Sequence, residues 1–331
     1  MLKQIMKNFI IIPIILSVIA LSLDVSIQSI SGYDAQETKQ QQSSFTIIST
    51  RNISDLDFNI KLQMLVDNTL KKFNETETCP SEIAIYIHGF NKDKDDAGEE
   101  FNRIHTALNL SNYQIPLIGF SWDSNVLWEQ AKVNAKKSGE KLAKFIFELK
   151  KRDNCPNTNI RIIAHSLGAA VVDNALNNLD IYLNHKTNNN SQIIKSVHLL
   201  GAAISNKLID NNTPLGNAIE HLVVNFTNLY SSQDDGLEFN RYFEKHNPLG
   251  LVGASKETVH SNYKDINVTS ELPPFSDADG DGNIEECFEE YKPAIVEGDN
   301  HCGYIGFRQP FSNSLITDGA IDVIVEDWRN P

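Results

Sequence analysis

The stretch Ala164-His165-Ser166-Leu167-Gly168 sets a serine among small residues, directly after the β-branched run Ile160 to Ile163. Beyond it, Leu167, Val171, Val172 and Leu176 recur three and four residues apart. The first pattern is that of a buried parallel strand, interrupted only by Arg161, and the second that of an amphipathic helix. A serine at such a junction stands on a sharp strand-to-helix turn, the nucleophile elbow, with Ala164 here in the first small position. Its hydroxyl attacks a carbonyl carbon only when an imidazole takes the proton, and the imidazole needs a carboxylate to hold it in the right tautomer. The chain offers nine histidines for the first task and, in "LYSSQDDGL", Asp234 and Asp235 for the second.

Positioning such residues requires a rigid frame. Apolar runs at 83–88, 115–122, 160–164, 197–202, 222–230 and 263–269 predict strands. Helical periodicity at 96–109, 125–152, 167–184, 214–221, 236–245 and 313–328 alternates with them. The alternation predicts an α/β fold, a mostly parallel central sheet with helices on both faces. In open α/β sheets reactive groups gather at the carboxyl ends of strands. His88-Gly89-Phe90-Asn91, Ser121-Trp122-Asp123-Ser124, Ser166, the Asp234–Asp235 pair and His301 all follow apolar runs.

The chain start carries Lys3 and Lys7, then an uncharged apolar stretch from Phe9 to Leu23. Its length and flanks are those of a signal-peptide core and fall short of a membrane span. Residues 1–31 are expected to be a signal peptide or N-terminal anchor, residues 32–44 a polar linker, and residues 45–331 one domain. The mature chain is then secreted or extracytoplasmic, held on a membrane wherever the segment stays uncleaved. The formal charge of −14 excludes nucleic acid as a partner, because phosphate backbones would be repelled.

The motifs H-G-F-N, S-W-x-S and A-H-S-L-G together resemble the α/β-hydrolase superfamily, in particular prokaryotic serine hydrolases that carry an H-G-F-N loop and an A-H-S-[LM]-G elbow. The resemblance is specific from Ile83 to Leu179 and looser up to Trp328. It implies the α/β-hydrolase fold and the chain order nucleophile, acid, histidine, which Ser166, Asp234 and His301 reproduce. In the resembling group the acid stands three residues before a leucine, here Leu237, which selects Asp234 and leaves Asp235 as a charge at a helix start. The superfamily histidine follows the last strand, which favours "GDNHCGY" and His301 over His260. The backbone N–H groups of Leu167 and Phe90 would form the oxyanion hole, Gly89 letting that loop come close. His88 would shape the loop by hydrogen bonding, and His165 would point away from substrate.

Four cysteines in an exported chain suggest two disulfides among three pairings. The superfamily's strand order makes the strands after Cys79 and Cys155 neighbours, so the resemblance implies a Cys79–Cys155 bridge and leaves Cys287 with Cys302, on the loop of His301. "DADGDGNIEE" fits a calcium loop at Asp277, Asp279 and Asp281, with Ile284 at the eighth position. Phe288 stands where the bidentate glutamate is usual, so Glu285, Glu286 or Glu289 would have to substitute.

These readings converge on an exported serine hydrolase, carboxylesterase- or lipase-like, acting through an acyl-enzyme on a small-molecule or surface ester. No cofactor is expected for catalysis, with calcium in a structural role. Short connections after Ala203 leave no room for a large lid. The competing expectation is an inactive, calcium-stabilised adhesion or binding module on the same fold.

Overall fold

The structure is a computed structural model, and it describes residues 45–73, 79–152, 157–184, 192–255, 259–272, 300–308, 315–317 and 319–330. All fall within the unit Gln42–Pro331. The signal segment and linker expected at 1–44 lie outside the described residues. Among the described residues no helix is long and apolar enough to cross a membrane.

In chain order the elements are β1 (Phe45–Ser49), α1 (Asp55–Phe73), β2 (Glu82–Ile87), α2 (Lys94–Leu110), β3 (Leu117–Ser121), α3 (Trp128–Lys150), β4 (Asn159–His165) and α4 (Gly168–Asn184). There follow β5 (Ile194–Leu200), α5 (Pro214–Leu222), β6 (Val223–Tyr230), α6 (Asp235–Glu244), α7 (Leu249–Val252) and β7 (Tyr263–Asn267). A 3-10 helix (Asn300–Ile305), a short hairpin of β8 (Phe307–Arg308) and β9 (Leu315–Thr317), and α8 (Ile321–Arg329) close the chain. Strands β1 to β7 form one sheet in the order β1-β3-β2-β4-β5-β6-β7. Every pairing within it is parallel.

Parallel strands covered by helices on both faces need apolar residues at consecutive positions, and β2 and β4 show why. Ile83, Ile85 and Ile87 of β2 join Ile160 and Ile162 of β4 in a core closed by α1, α3, α4 and α5. Ala84, Tyr86 and Ile163 turn to the other face, under α2 and α8. Arg161, the charged exception in this run, lies on the α8 side. Its guanidinium pairs with Glu82 at 2.8 Å and lies 4.9 Å from the ring of Trp328, so the buried charge has partners. The start of α2 is fixed by a capping box: the Asp93 carboxylate accepts the N–H groups of Asp95 and Asp96, and that of Asp96 accepts from Asp93 N–H.

Two segments differ from expectation. The helix expected at 313–328 is α8 alone, because Leu315–Thr317 pairs with β8 and Gly319 then turns the chain at φ +61°. A side chain at Gly319 would lie 2.2 Å from the carbonyl oxygen of Gly303, so only glycine fits that turn. Ahead of the first predicted strand, β1 lies beside β3 as an edge strand and α1 packs over it.

Candidate active site

Because all seven sheet strands run parallel, their carboxyl ends share one rim. Ser166 lies on it immediately after β4, with φ 53°, a backbone conformation that costs most residues about 1–3 kcal/mol. Backbone hydrogen bonds hold it there. Ser166 N–H donates to Leu200 O at 2.9 Å, and Ser166 O accepts from Ala169 N–H and Ala203 N–H, both at 3.1 Å. The turn is sharp enough that α4 begins against the end of β2. A Cβ on Gly168 would come within 2.7 Å of the Ile87 carbonyl oxygen.

Asp234 follows β6 on the same rim and is fully buried. One carboxylate does two jobs. It caps α6 by accepting the Leu237 N–H at 2.8 Å, and it faces His301, whose Nδ1 lies 2.8 Å from Oδ2 and 3.0 Å from Oδ1. A carboxylate only accepts, so Nδ1 carries the proton and Nε2 is the basic nitrogen. Asp235, the other half of the pair, is in the first turn of α6.

His301 lies in the 3-10 helix, and the residue preceding Ser166 holds it in place. His165 donates from Nε2 to the His301 carbonyl oxygen at 3.0 Å, and the two rings are 4.9 Å apart. Burial, reinforced by the neighbouring His301, lowers the His165 pKa to about 3, so this ring stays neutral. Tyr304 braces the loop from below: its buried ring packs on Gly201, where φ +54° and the absence of a Cβ bring the chain close.

The loop 88–91 sits across from the elbow. A Cβ on Gly89 would stand 3.0 Å from that of Ser166, a tight contact that glycine avoids. The Leu167 N–H has no hydrogen-bond acceptor among the described residues. The Phe90 ring packs edge-on against Trp128 at 5.0 Å. His88 is the post on which the loop hangs. Its Nδ1 donates to Gly89 O at 2.9 Å, its Nε2 accepts the Trp122 N–H at 3.1 Å, and its ring stacks on Trp122. The Trp122 indole N–H donates to His88 O at 2.8 Å, and Asn91 N–H donates to Ser124 O at 3.2 Å. The S-W-x-S segment thus acts as the clamp of the H-G-F-N loop. Complete burial lowers His88 to about 4, which keeps Nε2 an acceptor.

Sequence reasoning missed Arg51. It follows β1 and reaches Ser121 Oγ at 2.7 Å, His88 Nε2 at 3.1 Å, and the carbonyls of Lys92 and Asp93 at 2.9 and 2.8 Å. A lone arginine outside any motif gives no signal of this. Behind the loop, Glu100 is fully buried, accepts from Tyr86 Oη at 2.9 Å and lies 3.3 Å from Lys92 Nζ. Burial alone would raise its pKa, but Lys92 and the charges around it hold it down at about 2.

The other predicted positions fall as follows. His260 precedes β7, at the opposite, amino end of the sheet, 3.7 Å from Glu220. His198 forms a second histidine–aspartate pair with Asp327 at 2.7 Å, packed under Trp328 of α8 and tied further to Thr227 and Lys264. Asp277, Asp279 and Asp281 lie outside the described residues. Among those described, no group of three or more His, Cys, Asp or Glu is placed to hold a metal. Strands β2 and β4 are direct neighbours, with Glu82 opposite Asn159. Cys79 and Cys302 are not free thiols. Their assigned partners Cys155 and Cys287 lie outside the described residues.

The sequence matches the family described as "Alpha/beta hydrolase of unknown function (DUF900)" over residues 65–296, well over half of the chain, and the chain belongs to that family. The match takes in Ser166 and Asp234 and ends before His301. No curated protein matches the chain. Among solved structures, Aspergillus fumigatus lipase B is similar at 12% identity and a TM-score of 0.35, over 60% of this chain and 47% of the lipase. A Trichoderma reesei cutinase is similar at 20% identity and a TM-score of 0.26, over 50% of this chain and 73% of the cutinase. A hydrolase from Oleispira antarctica is similar at 12% identity and a TM-score of 0.30, over 58% and 84% respectively. The chain thus spans about half the length of the lipase it matches.

Proposed function

We propose that this α/β hydrolase is a serine hydrolase that cleaves a carboxylic ester through an acyl-enzyme. The observation that carries the reading is the His301–Asp234 pair, fixed at 2.8 Å on the rim that also bears Ser166 in its left-handed turn. In the proposed first step His301 Nε2 takes the Ser166 hydroxyl proton as Oγ attacks the ester carbon. The charge on the carbonyl oxygen is met by the N–H groups of Leu167 and Phe90. Collapse of that intermediate breaks the bond to the alkoxy group, which leaves with the proton from His301. Water, activated by the same nitrogen, then attacks the acyl-serine and releases the acid. Asp234 stays ionised throughout and stabilises the imidazolium.

Acyl transfer to amides and thioesters uses the same constellation; a carboxylic ester is the class proposed for this chain. Export, the Cys79–Cys155 and Cys287–Cys302 bridges, and a structural calcium ion at Asp277, Asp279 and Asp281 belong to the same proposal and rest on the sequence. A fluorophosphonate probe tests the chemistry. Labelling mapped to Ser166, and lost on His301→Ala, is the expected result. A folded protein that takes no label would favour the inactive binding module instead.

A further inference from the structure

The helix capped by Asp234, α6, turns outward a face that has no partner among the described residues. On α6, Phe239, Tyr242 and Phe243 are 50%, 80% and 60% exposed, and their rings contact one another at 4.5 and 5.4 Å. Large apolar side chains that cluster on a surface mark a binding face, whereas single ones do not. The cluster is tied to the site. At the C-terminal end of α6, Glu244 accepts from the Trp128 indole N–H and from Lys132 Nζ, and Trp128 packs on Phe90. Leu127, beside Trp128, is 77% exposed.

Charge says what covers this face. The chain carries −14 overall, yet the cavity of about 340 Å³ beside the end of α6 is lined by Lys207, Arg241, Lys245 and His246, with no carboxylate among the described residues of its wall. Glu238 lies 3.2 Å from Arg241 on the exposed surface, where such pairs contribute little, and Glu244 at the helix end is taken up by Trp128 and Lys132. His246 Nδ1 has no hydrogen-bond partner among the described residues. Aromatic rings beside basic side chains suit a surface that is apolar within and anionic at its headgroups.

We propose that α6 and the basic cavity at its end dock the enzyme on a phospholipid surface with anionic headgroups, the rings of Phe239, Tyr242 and Phe243 entering the acyl boundary. The substrate class follows: an ester resident in that surface, delivered to the rim beside Phe90. This last step rests on the hydrolase reading above, and the docking itself does not.

The test uses the full chain as Ser166→Ala, so that binding is read without turnover. Vesicles of phosphatidylcholine alone are compared with equal parts phosphatidylcholine and phosphatidylglycerol. Tyr242→Trp reports from α6 itself. Its added fluorescence should shift to the blue and be quenched by bromine-labelled acyl chains, whatever the N-terminal segment does. Replacing Lys207, Arg241 and Lys245 by Gln should remove the gain from phosphatidylglycerol, on the order of 100-fold for three cations. Phe239→Ser with Phe243→Ser should abolish the quenching. With Ser166 restored, both sets should keep wild-type turnover of a soluble p-nitrophenyl ester and lose release of acid from vesicle lipid. No quenching at residue 242, or quenching indifferent to both sets, overturns the proposal. Quenching without any ester hydrolysis would instead refute the role of Ser166 and leave the docking intact.

Discussion

Replacing Asp234 by Asn and by Ala separates the two jobs of one buried carboxylate. In the wild type it accepts from His301 Nδ1 at 2.8 Å and from Leu237 N–H at 2.8 Å. Asn keeps the size and an oxygen for the helix cap, so the fold should lose no more than about 1 kcal/mol. It removes the charge, and its amide N–H₂ can face Nδ1 only if the histidine moves its proton to Nε2, the nitrogen needed as base. Such a tautomer change lowers kcat about 10⁴-fold, equivalent to about 5 kcal/mol of lost transition-state stabilisation. Ala removes both partners. The cap contributes about 1 kcal/mol and the charged hydrogen bond about 1.5–3, so Asp234→Ala should destabilise by about 2.5–4 kcal/mol with a similar loss of activity. Urea unfolding and p-nitrophenyl ester turnover read the two effects separately. If Asp234→Asn stays within about tenfold of wild-type kcat, Asp234 does not orient the base. If Asp234→Ala unfolds no more easily than Asp234→Asn, the cap is not doing what the geometry indicates.

Four further outcomes are expected. Ser166→Ala and Ser166→Gly should both lose about 10⁶-fold in kcat, but the glycine variant should be the more stable by about 1 kcal/mol, because glycine adopts φ 53° without strain; the reverse order in thermal unfolding would argue against a strained elbow. His88 and His165 titrate in the fold at about 4 and about 3, below their ordinary 6.5, so the unfolded chain binds protons that the fold refuses. Their contribution is complete above pH 6.5 and is lost as pH falls toward 4, which at pH 5 amounts to about 2 kcal/mol each; a urea midpoint unchanged between pH 7 and 5 would contradict this. Non-reducing peptide mapping should link Cys79 to Cys155, and a link from Cys79 to Cys287 or Cys302 would refute the neighbouring-strand argument. Calcium at about 100 times its Kd should add roughly 2.7 kcal/mol, seen as a rise in Tm that Asp279→Ala abolishes; the absence of both heat and shift in titration would leave an ordinary acidic turn.

Periodicity and punctuation carried the frame. A strand buried on both faces must be apolar at consecutive positions and its covering helices must be apolar at every third and fourth, so β2 to β7 and α2 to α6 are legible within a few residues. The elbow was legible for the same kind of reason: a sharp turn tolerates only small neighbours, and a short motif records them. The first strand and helix give only a weak signal, because an edge strand is half-exposed and α1 is weakly apolar. Contacts across the rim are another matter, because they join residues far apart in the chain through directions that no local pattern encodes. Sequence placed His165 facing away from substrate, but only the folded chain made it the grip on His301, 136 residues later. Arg51 is joined to His88 and the S-W-x-S strand end in the same way, and Asp234 becomes both cap and partner of the histidine. The aromatic face of α6 reads in the sequence as ordinary apolar residues, and whether a helix turns such residues inward or leaves them bare is decided by what packs against it.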